Sequence, residues 1–213
     1  MSSLEVVSNQ RDRQCDQQAQ ALVARLWPHG DSESTAQIYV ILDGARDHRI
    51  ADFVRFSNLQ YACMYSGKLS PALQQAAPYI VHLSPKAELT RTLLQQAWGQ
   101  SWGILIETGP DISMEQLRRH FRGLQRVSTE DGTSLVFRFY DPRVLRVYLP
   151  TCTLSELGQF FGPVTKIVVE DMEGEGMVEY RKIAQGIDIG VRNFMSNTQN
   201  RHADRQNNDL SKI

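Results

Sequence analysis

Leu135-Val136-Phe137-Arg138-Phe139-Tyr140-Asp141-Pro142-Arg143-Val144-Leu145 is the stretch on which the reading of the fold turns. Its first half alternates. Leu135, Phe137 and Phe139 fall on one face of an extended chain, and Val136, Arg138 and Tyr140 on the other. Aromatic and β-branched residues at that period predict a strand running to Tyr140, buried on at least one side. Asp141-Pro142 ends it, because proline offers no ladder donor and drives its predecessor out of the helical region. Asp141 then caps a short helix that opens at Pro142 and carries Val144, Leu145 and Tyr148.

Upstream, Glu130-Asp131-Gly132-Thr133 separates this strand from Val127. Asp-Gly accepts the positive φ of a tight turn, so an antiparallel hairpin is expected. Ser113-Met114-Glu115-Gln116 and Thr153-Leu154-Ser155-Glu156 have capping-box spacing ahead of apolar helices. Ile38-Tyr39-Val40-Ile41-Leu42 is apolar on both faces and reads as a central strand closed by Asp43-Gly44. Further strands are expected at residues 61–65, 79–83, 103–107, 164–170 and 177–181. Helices are expected between several of them, one after Ser84-Pro85. The fold class is therefore α/β to α+β: a mixed β-sheet with an antiparallel hairpin, flanked by helices. Residues 1–36 read as an N-terminal helix (from Asp12 to Trp27) and a loop. Residues 37–185 read as the main domain, and residues 186–213 as a polar, flexible tail too poor in large apolar groups to order itself.

Composition narrows the function. With 213 residues, of which 41% are hydrophobic and 22% charged, the chain can bury a core. Lys+Arg of 23 against Asp+Glu of 24 gives a net charge of -1, which supplies no general drive toward nucleic acid or anionic membrane. Cys15, Cys63 and Cys152 are widely spaced and form neither a metal-ligand pattern nor a disulfide framework. No secretory leader and no apolar run long enough for a bilayer are seen, so a cytoplasmic location is expected.

There is no G-x-S-x-G, phosphate loop, G-x-G-x-x-G or H-E-x-x-H. Asp43 and Asp141, at the ends of apolar strands, and His82, inside one, are the residues a small metal-dependent hydrolase would use; acids at such places are also ordinary turn and cap residues. Arg118, Arg119, Arg122, Arg126, Arg138, Arg143 and Arg146 could hold phosphates in a nucleic-acid-binding domain. The acidic residues among them equally suit a solvated face with ion pairs. Neither pattern requires an enzyme, a cofactor or a metal.

Several blocks together resemble a known family: residues 39–45, Met64-Tyr65-Ser66-Gly67, residues 77–83, Trp98-Gly99-Gln100-Ser101-Trp102-Gly103-Ile104, Leu117-Arg118-Arg119-His120-Phe121-Arg122, residues 137–145, Leu149-Pro150 and Phe160-Phe161-Gly162-Pro163. Their order is similar to that in the adaptor chaperones of bacterial type VI secretion, long catalogued as a domain of unknown function. The resemblance implies a cytoplasmic, non-enzymatic protein with no cofactor. Its partner would be a cognate secreted toxin effector, which it stabilises and helps load onto a VgrG-type spike protein, itself a further expected partner; nucleic acid and membrane are not expected. Trp102, Arg138, Tyr140 and Arg143 are expected to contribute to the partner-facing surface, from their chemistry and their places at turns and strand ends.

Overall fold

A computed structural model describes residues 3–194 except residue 29, residues 31–35 and residues 129–130. Its centre is a sheet of seven strands in the order β2-β3-β1-β4-β7-β8-β9. The strands are β1 (Gln37–Asp43), β2 (Tyr61–Cys63), β3 (Pro78–Leu83), β4 (Gly103–Thr108), β7 (Val164–Glu170), β8 (Gly176–Ile183) and β9 (Gly186–Asn193). β5 (Arg126–Ser128) and β6 (Ser134–Val136) form the expected hairpin as a separate two-stranded sheet. The α/β class is as expected, but the sheet is not mixed, since every pair in it is antiparallel.

Both faces of the sheet are covered, which is why its central strands are apolar throughout. On one face Tyr39, Ile41, Ile80, Ile104, Ile106, Ile167 and Val169 meet Leu117 and Phe121 of α5 (Met114–Leu124), Leu145 of α6 (Pro142–Tyr148) and Phe160 of α7 (Leu154–Phe161). On the other, Ile38, Val40, Leu42, Val81 and Leu105 meet Leu22 and Leu26 of α1 (Ser3–Leu26), Ile50 and Val54 of α2 (Arg49–Phe56), and Leu93 and Leu94 of α4 (Glu88–Ala97). The remaining helix, α3 (Pro71–Ala76), is capped by Ser70, which accepts from the Leu73 amide.

The first helix packs on the body, a point the sequence left open. Ala19, Leu22 and Leu26 are buried, and Arg25 grips the buried Glu179 of β8 with two bonds of 2.7 and 2.8 Å. The helix also starts at Ser3, earlier than the expected Asp12. Both capping boxes form as the spacing predicted, Ser113 with Gln116 and Thr153 with Glu156. The helix expected after Ser84-Pro85 forms, but it begins only at Glu88 and without a side-chain cap, and Thr90 Oγ1 accepts from the Ser84 amide. Residues 186–193, read as the start of the tail, pair with β8 along their whole length. Backbone bonding recruits a segment whose side chains are mostly exposed. The rest of the expected tail, residues 195–213, lies outside the described residues.

Candidate functional site

The quoted stretch does not stay extended to Tyr140. β6 ends at Val136, and Arg138–Asp141 close a turn through the Asp141 amide and the Arg138 carbonyl, 3.0 Å apart. The turn buries aromatics that a strand would have split between two faces. Phe139 stacks on Phe121 with centroids 5.2 Å apart and meets Phe160 edge-on at 5.7 Å. Tyr140 is also in this core, at 2% exposure. Burial raises its phenol pKa, and the nearby Asp43 carboxylate adds to the rise.

This turn meets the end of β1. Arg138 donates to Asp43 through Nε at 3.1 Å and also through Nη2, and the Asp43 side chain is 1% exposed against 42% for Arg138. Asp43 also accepts from the Ala45 amide at 3.1 Å. Asp141 caps α6 as expected, accepting from the Arg143 amide at 2.9 Å, and Arg143 grips both of its oxygens at 3.0 and 2.6 Å. Burial alone would raise the Asp141 pKa, but the Arg143 hydrogen bonds and charge outweigh it and hold the carboxyl below its ordinary range. Each of the two acids is thus the buried anchor of an arginine.

Trp102 is likewise a core residue, 2% exposed, with the Arg49 guanidinium 5.1 Å above its ring. Its carbonyl accepts from the Asp43 amide at 2.8 Å. The turn before it is held by Glu170, which accepts from the amides of Gly99 and Ser101 at 2.7 and 3.0 Å. Of the expected partner-facing residues, Trp102 and Tyr140 are therefore buried and offer no side-chain surface, whereas Arg138 and Arg143 are partly exposed. The misplacement has a physical cause: Trp and Tyr are interface residues because they are large and amphipathic, and the same properties suit a core.

The hydrolase set does not assemble. Asp43 lies opposite Pro78 in the ladder, and His82 is four residues further along β3. That separates them by about 13 Å at about 3.3 Å per residue. His82 instead packs on Tyr39 at 4.8 Å, and burial lowers its pKa. Among the described residues, no group of three or more His, Cys, Asp or Glu is placed to hold a metal ion.

The arginines divide. Arg118 donates to the carbonyls of Cys63 and Tyr65 at 2.7 and 3.4 Å, Arg122 to Ser66 Oγ at 2.7 Å, and Arg146 to the Glu170 carbonyl at 2.6 Å. Arg119 and Arg126 are exposed. They do not present one free phosphate-binding stripe, because Arg138 and Arg143 are held by Asp43 and Asp141, and Arg146 by the Glu170 carbonyl.

Two surface features emerge that periodicity did not single out. One is a shallow apolar depression of about 730 Å³ along α6, lined by Phe137, Val144, Val147, Tyr148 and Thr151 together with Asp141 and Arg143. Val147 is 72% exposed, and Leu154 at the start of α7 is also exposed. The other is a trough beside α5, between the β2–α3 segment and the hairpin, of about 580 Å³. A cue to the first was present: Val144 and Val147 lie three apart on a short helix whose opposite side carries Leu145.

No helix among the described residues is long and apolar enough to cross a membrane. No curated protein and no solved structure matches the chain. Residues 38–159, more than half of the chain, match the model of the family described as domain of unknown function DUF4123. That span holds β1 to α6, both engaged acids and most of α7, and the protein belongs to this family.

Proposed function

We propose that this protein is a cytoplasmic adaptor chaperone that binds a type VI secretion toxin effector, stabilises it, and helps load it onto a VgrG-type spike. Membership of the family supports the reading, because its pattern of blocks resembles that of such adaptors. The observation that carries it is the apolar depression along α6. Contiguous apolar surface rimmed by polar groups is the mark of a protein-binding site. Here the polar groups in the lining are the Asp141–Arg143 pair, whose geometry is fixed by the cap of the same helix. Exposed Val144 and Val147 supply greasy contact, and the half-exposed Arg143 supplies directional donors. The function needs no bond making. It requires a surface that covers apolar segments of an effector until they are handed on.

Val147→Asp tests this. Val147 is exposed, so the variant keeps its fold, and a charge in the depression opposes apolar docking. The product of the gene next to this one, taken as the candidate effector, is co-expressed with the tagged chain. We expect co-purification with the wild type and loss of it with Val147→Asp. Retention at the wild-type level by a folded Val147→Asp protein removes the α6 surface from the reading. Stable accumulation of the toxin in cells lacking this chain removes the chaperone role.

A further inference from the structure

We propose that the trough beside α5 is a second binding surface, and that it seats an acidic polypeptide segment bearing apolar side chains. The trough is continuous with a smaller depression of about 330 Å³, with which it shares Tyr65 and Leu69. Four cations line the two, Arg122 and Arg126 in one and Arg55 and Lys68 in the other, and among the described residues no carboxylate lines either. In a chain of net charge -1, that one-sided lining is a local field rather than an average property. Arg55 is shared with Asp52 and Arg122 with Ser66, but among the described residues no acidic side chain pairs with Lys68 or Arg126.

Two further observations define the occupant. Leu69, Leu73 and Val136 line the trough, and Leu73 and Val136 are exposed, so its walls offer apolar contact between the charges. Gln125 also lines it, is 8% exposed, and its Nε2 is the buried side-chain polar atom without a hydrogen-bond partner among the described residues. An unpaired buried donor is costly, and a ligand oxygen brought to the trough wall supplies the acceptor when the amide turns toward it. Arginines, a lysine and an amide donor select oxygen acceptors carrying negative charge. Apolar walls favour aspartate or glutamate beside leucine-like side chains over a phosphate backbone, whose sugars would leave those walls uncovered. This surface is distinct from the α6 depression and stands or falls without it.

Fluorescence anisotropy of a labelled peptide of alternating aspartate and leucine, titrated with the full chain, tests the assignment. We expect saturable binding, and binding at least about tenfold weaker for the asparagine–leucine counterpart, the loss that follows from removing charge-assisted bonds. Lys68→Glu and Arg126→Glu, both at exposed positions, should weaken it similarly with an unchanged melting temperature. Gln125→Met should weaken it while leaving the melting temperature unchanged or raised, a combination that a purely structural glutamine would not give. Val147→Asp should bind the peptide as the wild type does, which separates failure here from failure of the α6 surface. No saturable binding, indifference to Arg126→Glu, loss of binding in Val147→Asp, or preference for oligothymidine over the peptide would each overturn the proposal.

Discussion

At the end of β1, Arg138 and Arg143 close on carboxylates that are almost wholly buried; along the trough, Lys68 and Arg126 line an open surface with no acidic partner among the described residues. The residue chemistry is nearly the same in the two regions, and the surroundings are not. In the first, a desolvated acid needs a cation: Arg143's fork takes both oxygens of Asp141, Arg138 puts two donors on one oxygen of Asp43, and the far side of each arginine stays wet. In the second, Lys68 and Arg126 stand beside apolar walls with no acidic side chain paired to them among the described residues. The lesson is that an arginine's role is set by what lies beneath it. One group maintains the chain's own turn, and the other is free to meet something else.

Removing the floor of the first region should have the largest effect. Phe139→Ala takes out a fully buried ring packed against Phe121 and Phe160, and should cost about 3–5 kcal/mol in denaturant unfolding. A loss well below that would mean the aromatic cluster is not what holds the turn. Asp43→Ala comes next. It strands Arg138 and the Ala45 amide, and should cost about 2 kcal/mol, the range for hydrogen bonds to a charged group. A neutral result would show that Arg138 is as free as the trough cations, and would erase the contrast.

Arg143→Ala should cost less, about 0.5 kcal/mol at neutral pH, because the guanidinium is half exposed. Its pH dependence sharpens the comparison. The folded pKa of Asp141 lies below its ordinary value, so its ionised form stabilises the fold above the ordinary carboxylate range. That contribution fades as the pH falls through the depressed folded value. The stability gap between wild type and Arg143→Ala should therefore be present at neutral pH and close in strong acid, as read by urea unfolding at each pH. The smallest effect belongs to the second region: Lys68→Glu and Arg126→Glu should each shift stability by no more than about 0.5 kcal/mol. A larger loss would place them among the structural cations.

The sequence already carried much of this. A run apolar on both faces, Ile38 to Leu42, could only be a central strand, because each face needs cover. Asp141-Pro142 and the two capping boxes marked helix starts because those signals are local backbone chemistry, complete within four residues. The Asp-Gly turn announced an antiparallel pair for the same reason. At Ser84-Pro85 the helix starts late, at Glu88, and the Ser84 amide is taken up by Thr90 Oγ1 six positions on.

Tertiary structure alone decided the rest. Phe137 to Tyr140 alternate as a strand does, yet burying Phe139 against Phe121 and Phe160 is worth more than extending a two-stranded ribbon by a few bonds. β9 forms because β8 presents an open edge, not because residues 186–193 demand it. Whether Trp102 and Tyr140 face inward, and whether an arginine finds an acid beneath it, depends on residues far away in the chain: Arg138 and Asp43 are 95 positions apart. Local periodicity encodes which elements form, while long-range packing assigns each polar group its partner or leaves it without one.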